Sequence, residues 1–286
     1  GGTCVNVGCV PKKVMWNGAS FAHAIEDAAD YGFSIPAHTF DWPTLKRQRD
    51  QHVLDLNGHY ERNLTRNGVE IIRGNARFVG PKTVKVGTDT LSAEHIVIAV
   101  GGRPIVPEVP GAGFGVTSDG FFEMEKQPKR VAIVGAGYVA VEFAGLLRAL
   151  GSDVTLILRH DNFLRHFDAM LRDALTQSMR ADGVRILTQV QVVRVEKEAG
   201  GIRIQGSSGN VVEGFDALIW AVGRRSNANR LDLRATGVTF GENDAIPTDE
   251  YQTTNVPGIY AIGDITGRFE LTPVAIAAGR RLADRV

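Results

Sequence analysis

The two cysteines of the chain, Cys4 and Cys9, lie five positions apart near its start. Pro11 is well placed as the first residue of a helix, so Cys9 would sit at the positive helix N-terminus with Lys12 nearby, where a thiolate is favoured. A metal site is not expected, because the further ligands that it needs are not supplied nearby. Two isolated cysteines are often inert core residues, and that alternative stays open on these residues alone.

A glycine loop of the form G-x-G-x-x-A is made by Gly135, Gly137 and Ala140. Such glycines allow a tight turn and a close approach of backbone N–H groups to a pyrophosphate at a helix N-terminus. The small third residue lets the helix pack against the preceding strand. The flanking sequence supplies a strand over 129–134, an apolar helix face that stops at Gly151 and a second strand over 154–158. This full β-α-β context predicts a dinucleotide site.

A basic cluster follows the second strand of that unit. An NAD site usually has Asp or Glu at this point, whereas the chain has Leu158. Arg159, His160 and Arg165 come next and suit the additional 2′-phosphate of NADP, because guanidinium groups bind phosphate with two parallel hydrogen bonds. The cofactor is therefore predicted to be NADPH.

The remaining elements place these residues in an α/β protein. Asp41 is expected to cap a long second helix that stops at Asn67-Gly68, and short β-rich segments follow up to residue 98. Buried-type strands over 94–101, 216–223 and 258–263 each end in Gly, which suggests two related nucleotide-binding domains. The alternative is that buried strands often end in Gly. Our predicted boundaries are 1–116 for the first domain, 117–246 for the NADPH-binding domain and 247–286 for the return to the first.

Composition excludes several classes of function. Thirty-two basic residues balance thirty-two acidic ones, so no overall field attracts nucleic acid or an anionic membrane. No apolar run reaches the roughly 18 residues of a membrane helix, and no leader is visible. A cytoplasmic protein is expected. The start without Met and the stop inside a helical pattern suggest a sequence cut at both ends.

The string GGTCVNVGCVPKK resembles the redox-active segment of the flavoprotein disulfide reductases. The resemblance covers the whole chain, and the companion motifs occur in family order: GAGYVAVEFAG, RHDNFLR, DALIWAVGRR and GIYAIGDITGRFELTPVAIAAGRR. It implies two FAD/NAD(P)-binding Rossmann-like domains, of which the first is incomplete and discontinuous, with FAD and NADPH as cofactors.

The resemblance also implies roles for individual residues. Lys12 would lie near the reactive edge of the flavin and pair with Glu142, while Tyr138 would cover the nicotinamide pocket. Asp264 would bind the ribityl-phosphate side of FAD, and Thr272 would lie near the isoalloxazine. The full set of implied cofactor-binding residues is Gly2, Thr3, Lys12, Gly101, Gly135, Gly137, Tyr138, Ala140, Glu142, Arg159, His160, Arg165, Gly223, Arg224, Asp264 and Thr272.

The implied reaction is a thiol–disulfide exchange driven by NADPH. Electrons would pass through FAD to a Cys4–Cys9 disulfide. The Cys4 thiolate would then attack the substrate disulfide, while Cys9 would stay against the flavin and resolve the mixed disulfide.

The resemblance is strongest to the glutathione reductases of the family. Oxidised glutathione is anionic, and Arg280, in Ala277-Ala278-Gly279-Arg280, would pair with one of its carboxylates. Tyr60 would pack against bound glutathione, although its place on an apolar helix stripe also suits core packing. Lys12-Lys13 favours the same substrate. The segment over 263–268 resembles trypanothione reductases instead, so that substrate stays an alternative.

Two regions of the family have no counterpart in this sequence. Members begin with a βαβ unit of about 30 residues that carries its own glycine loop for FAD. They end with a dimer-forming domain whose His-Pro supplies an acid/base across the interface, and none of the seven histidines here is followed by Pro. We therefore expect a fragment of a homodimeric parent, with little turnover alone. The alternative of another class is a non-catalytic NADPH-binding module or thiol redox sensor.

Overall fold

The structure is a computed structural model that describes residues 2–286. The chain forms two compact units. The first unit consists of the residues up to Cys4, Asn57–Arg103 and Arg224–Val286, and the second unit of Val5–Leu56 and Pro104–Gly223. The α-helices are α1 Thr3–Val7, α2 Cys9–Asp27, α3 Trp42–Arg66, α4 Ser118–Glu123, α5 Tyr138–Ala149, α6 Ala169–Ala181 and α7 Thr272–Arg285.

The second unit is built on a five-stranded parallel sheet with the order β6-β13-β7-β8-β9. The consecutive elements β7, α5 and β8 form the β-α-β unit that the sequence predicts. A three-stranded antiparallel sheet, β10-β11-β12, belongs to the same unit. The strands are β6 Val116–Thr117, β7 Arg130–Val134, β8 Asp153–Ile157, β9 Arg185–Leu187, β10 Val192–Glu198, β11 Gly201–Gly206, β12 Val211–Phe215 and β13 Ala217–Trp220.

The core of the second unit holds the helix that carries Cys9. Met15 and Ala19 of α2 are buried in one cluster with Phe143 and Leu147 of α5 and with the apolar side chains of β7 and β8. Burial of this face holds α2 against the five-stranded parallel sheet, because each fully buried large apolar side chain contributes about 1.5–3 kcal/mol to the stability of the fold.

The first unit contains smaller sheets. An antiparallel sheet runs β1-β2-β3, β4 pairs in parallel with β15, and β5 pairs with β14. Buried side chains from β1, β4 and β15 form its core with residues 228–265. The strands are β1 Ala76–Gly80, β2 Thr83–Val86, β3 Asp89–Ser92, β4 Ile96–Ile98, β5 Gly102–Pro104, β14 Arg224–Ser226 and β15 Ile259–Ala261.

Several local predictions agree with these elements. The α/β fold class is confirmed, and Thr44 N donates to Asp41 Oδ2 at 2.9 Å, which is the expected cap of α3. The start of α2 was predicted wrongly: the helix begins at Cys9, two residues before Pro11. Proline is tolerated there because N–H groups of the first turn have no intrahelical partner. Cys9 is still at the helix N-terminus.

The two predicted cofactor-binding domains, the first of them in two segments, stay a prediction, since compact units do not test which cofactor each part binds. None of the helices within residues 2–286 is long and apolar enough to cross a membrane.

Candidate functional site

The two glycines of the G-x-G-x-x-A loop are required for different reasons. Gly135 has a φ of +153°, and a Cβ built there would lie 2.2 Å from the backbone oxygen of Ala221. Only glycine fits this close approach of β7 to the neighbouring strand end. Gly137 has an ordinary φ of −90°, and a Cβ there would meet no described heavy atom within 4 Å. The open space at Gly137 fits the close approach of a pyrophosphate.

Helix α5 begins directly after this glycine. Gly137 is the N-cap residue, in extended conformation, and no side chain caps the helix. The dipole at the N-terminus of a helix favours an anion, and a glycine at the cap leaves room for one to approach. Tyr138 is the first residue of α5, and Ala140 is fully buried against the core.

The basic loop is attached to the glycine loop by a backbone hydrogen bond. Leu164 N donates to Ala136 O at 2.7 Å, and Leu164 has a φ of +49° that few non-glycine residues adopt. The neighbouring Phe163 is buried in the core of the unit and anchors the same loop. The loop that carries the predicted phosphate ligands is therefore held beside the predicted pyrophosphate site.

The cationic side chains of this loop point to solvent. Arg159, His160 and Arg165 are exposed, whereas Leu158 is buried at the end of β8. Arg159 Nε donates to His160 Nε2 at 3.2 Å. Within residues 2–286, neither Arg159 nor Arg165 forms an ion pair. Two guanidinium groups without an internal counter-charge fit a dianionic phosphate.

The redox segment spans the start of two helices. Cys4 is half-buried in α1, and Cys9 is the exposed first residue of α2. Lys12 follows Cys9 by almost one turn, and its Nζ lies 2.8 Å from Glu142 Oε1 of α5. The structure thus brings together the two residues that the resemblance pairs, 130 positions apart in the chain. Their roles toward a flavin stay a prediction.

The sequence analysis missed Arg49 of α3, a buried arginine that contacts Met15 of α2. The Arg49 side chain is only 1% exposed, and its Nη1 lies 3.2 Å from Met15 Sδ. Its Nη2 donates to Phe122 O and to Asp50 Oδ1, both at 2.5 Å. Desolvation acts to raise the pKa of Asp50, but hydrogen bonds from Lys46 and Arg49 hold that pKa below its ordinary value of 3.8.

The predicted flavin ligands of the first unit lie at the ends of its strands and helices. Asp264 is in the 3₁₀ helix Gly263–Thr266 after β15, and Thr272 is the first residue of α7. Arg224 Nη2 donates to Gly102 O at 2.7 Å and to Thr3 Oγ1 at 3.4 Å. These contacts bring the Thr3 segment and the β5–β14 pair together.

Three predicted glycines provide strand ends and turns of unusual conformation. Gly2 and Gly101 of the first unit have φ values of +90° and +65°, and a Cβ at either would meet no described heavy atom within 4 Å. Such open, positive-φ turns fit a backbone that a cofactor approaches closely. Gly223, in the second unit, has a φ of +134° and lies three residues after β13 ends.

A carboxyl that the sequence analysis did not single out, that of Glu270, lies in the first unit. Desolvation raises the pKa of Glu270 above its ordinary value of 4.5, the negative charge of Asp264 raises it further, and Arg224 opposes both. The only available signal in the sequence was its place between Asp264 and the predicted flavin ligand Thr272.

The two predicted substrate residues are both exposed. Tyr60 is 48% exposed and makes an edge contact with His59, so core packing does not account for it among the described residues. Arg280 is exposed on α7. Their joint role toward a substrate stays a prediction.

Residues 1–279 match the pyridine nucleotide-disulphide oxidoreductase family. The chain belongs to this family. It is 47% identical, over its whole length, to glutathione reductase of Schizosaccharomyces pombe. Among solved structures, it is similar over its whole length to the HOCl-induced flavoprotein disulfide reductase RclA of Escherichia coli, with 25% identity and a TM-score of 0.90. The Cu(II) complex of RclA gives 26% identity and a TM-score of 0.89.

The chain spans 64% of the length of the yeast relative and 62% of the RclA chain. The predicted resemblance to flavoprotein disulfide reductases is confirmed by these matches, as is the similarity to glutathione reductases. Family membership supports FAD and a pyridine nucleotide as cofactors.

Proposed function

We propose that the protein of which this sequence is part reduces oxidised glutathione with NADPH, through FAD and a redox pair formed by Cys4 and Cys9. Membership of the oxidoreductase family supports disulfide reduction as the class of reaction. The 47% identity to a glutathione reductase supports glutathione as the substrate.

The observation that supports the use of NADPH most directly is the backbone hydrogen bond from Leu164 N to Ala136 O. It joins the loop of Arg159 and Arg165 to the glycine loop, so a nucleotide whose pyrophosphate lies at α5 would have its adenosine end beside two unpaired cations. Leu158 takes the place of the acid that would bind a ribose 2′-hydroxyl in an NAD site.

The family resemblance gives the two thiols different parts in the proposed reaction. When bound, NADPH and FAD supply the two electrons that reduce the disulfide. The Cys4 thiolate attacks one sulfur of oxidised glutathione and releases one glutathione thiolate, which takes a proton. Cys9 then attacks the mixed disulfide, releases the second glutathione and leaves a Cys4–Cys9 disulfide. The electrons and atoms balance as one disulfide reduced and one formed.

Other residues have proposed supporting roles in this reaction. The hydrogen bond from Lys12 Nζ to Glu142 Oε1 holds the ammonium group near the first turn of α2. Cys9 begins the same helix. Arg280 and Tyr60 would bind the carboxylates and the body of glutathione, for which the cation and the exposed ring are suited.

The two alternatives to this proposal, another substrate and a non-catalytic protein, can be distinguished from it. A trypanothione substrate, which carries a polyamine, would be bound by acids and not by Arg280. A non-catalytic NADPH-binding module or redox sensor would bind NADPH without flavin, so flavin absorbance and an NADPH titration distinguish it. Homodimerisation of the parent and little turnover by residues 1–286 alone are further expectations from the resemblance, and a cytoplasmic location is expected from the sequence composition.

The experiment that tests NADPH use replaces Arg159 and Arg165 together by Ala. Binding of NADPH and NADH to the purified chain is followed by fluorescence titration. The double variant should lose about tenfold or more in NADPH affinity, as two charge-assisted phosphate contacts are removed, with little change for NADH. A matched control replaces two exposed arginines of the same unit, Arg180 and Arg185, by Ala. Equal losses for the two nucleotides would overturn the proposal.

A further inference from the structure

The basic loop contains an acid that should weaken its binding of phosphate. Asp161 lies two residues after Arg159 and four before Arg165. A carboxylate within reach of both guanidinium groups would compete with a bound phosphate for the same N–H donors. The next acid along the chain, Asp168, is already engaged, because it accepts a hydrogen bond from Met170 N as the N-cap of α6.

Asp161 is engaged by a residue from another part of the second unit. Gln189 Nε2 donates to Asp161 Oδ1 at 2.6 Å, across 28 positions of sequence. Within the part of the chain that the structure describes, Asp161 forms no ion pair. The carboxylate of the loop is therefore hydrogen-bonded to a neutral amide and not to either arginine.

The backbone around Gln189 is fixed against the same loop. Val190 N donates to Leu158 O at 2.9 Å, and Val190 is buried. Gln189 itself has a φ of +57°, in the left-handed region that residues other than glycine, Asn and Asp seldom occupy. A glutamine is thus held in an uncommon conformation at the position from which its amide reaches Asp161.

We propose that Gln189 is a specificity-determining positioning residue for the 2′-phosphate. By holding the Asp161 carboxylate, it keeps Arg159 and Arg165 without an internal counter-charge, so that both can bind the phosphate that distinguishes NADPH from NADH. This inference rests on the proposed use of NADPH. It adds a residue that acts through Asp161.

The test uses two probes that differ by the phosphate alone, 2′,5′-ADP and 5′-AMP, with affinities measured by calorimetry on the 286-residue chain. The variants are Gln189→Ala, Asp161→Asn and the two combined. Gln191→Ala is the matched control, because Gln191 is an exposed glutamine two residues away whose side chain makes no hydrogen bond among the described residues. Thermal melting of each variant shows whether the fold is kept.

Gln189→Ala should lower the affinity for 2′,5′-ADP about fivefold, the effect of roughly one exposed charge contact, and leave 5′-AMP unchanged. Asp161→Asn in the same chain should restore the affinity, because no carboxylate is left to compete. Unchanged 2′,5′-ADP binding by Gln189→Ala, or no recovery in the combined variant, would overturn the role of Gln189. If the unaltered chain binds both probes equally, the proposed NADPH preference itself fails.

Discussion

The strand before Gly135 and the strand before Gly101 carry the same sequence signal, an apolar run that stops at glycine, yet they are built differently. In the second unit, β7 lies between β13 and β8, and Val131, Ala132 and Ile133 are fully buried. In the first unit, β4 pairs with β15 alone among the described strands, and its Val97 is 47% exposed.

The glycines differ in the same way as their strands. A Cβ at Gly135 would overlap the backbone of the neighbouring strand end, whereas a Cβ at Gly101 would meet open space. A strand that ends in glycine therefore predicts a turn, but neighbours on both sides decide whether the turn is closely packed. The predictions that follow test this difference between the units, from the largest effect to the smallest.

Replacing Gly135 by Ala should cost the most. The added methyl group would lie 2.2 Å from Ala221 O, so β7 and β13 would have to separate locally. We expect a loss of about 3 kcal/mol in the free energy of unfolding, measured by urea denaturation. Gly137→Ala is the matched control, because its Cβ has room: it should keep the stability and lose nucleotide affinity. Equal stabilities for the two variants would contradict the different roles of the two glycines.

Replacing Asp50 by Asn should destabilise the second unit by about 2 kcal/mol, because buried Arg49 loses its carboxylate partner while Phe122 O remains. The pKa of Asp50 is lowered, so its stabilising contribution is present above pH 3.8 and is lost as the pH falls below that value. The free energies of unfolding of the variant and the unaltered chain, measured by denaturation at several pH values, should therefore differ less below pH 3.8. Glu125→Gln, which alters an 80% exposed partner of Lys46, is the control. A pH-independent difference would contradict the assignment.

Replacing Gly101 by Ala should cost about 1 kcal/mol, because the only penalty is a side chain at a φ of +65°. Comparison with Gly135→Ala by urea denaturation isolates the close contact, which only Gly135 makes. Gly87→Ala is a suitable control, since Gly87 has a φ of +60° and is also open to solvent. If Gly101→Ala were as damaging as Gly135→Ala, the two turns would not differ in the way described.

Replacing Glu270 by Gln should have the smallest effect on stability, and with the opposite sign to Asp50→Asn. The pKa of Glu270 is raised, so its ionisation opposes folding as the pH rises above 4.5. The variant should melt slightly higher than the unaltered chain at pH 7 and equally at a pH well below 4.5. Glu250→Gln, an exposed glutamate of the same unit, is the control. A lower melting temperature at pH 7 would contradict the raised pKa.

The sequence was sufficient where the signal is local. The glycine loop, the following helix with its stop at Gly151, and the cap at Asp41 depend on neighbours within a few positions, and all three are present in the structure. The start of α2 was missed because proline is tolerated anywhere in the first helical turn, so Pro11 did not fix the first residue.

The rest of the candidate site depends on long-range contacts. Gln189 reaches Asp161 only because β9 lies beside β8, and the raised pKa of Glu270 comes from its burial in the folded chain and from the nearby charge of Asp264. In the sequence, Arg49 is one of several charged residues on a polar helix. Only the folded structure shows that it is buried in contact with Met15 and Phe122. Lys12 and Glu142 were paired from the family resemblance and not from any local pattern.

The thiol exchange at Cys4 tests the central claim most directly, because it requires neither flavin nor NADPH. A Cys9→Ser chain treated with oxidised glutathione should keep one glutathione as a mixed disulfide on Cys4, detected by intact mass and peptide mapping. The reduced, unaltered chain should carry no lasting adduct, because Cys9 displaces the glutathione and closes the Cys4–Cys9 disulfide. A Cys9→Ser chain that stays unmodified, or an unaltered chain that accumulates the adduct at Cys4, would contradict the account.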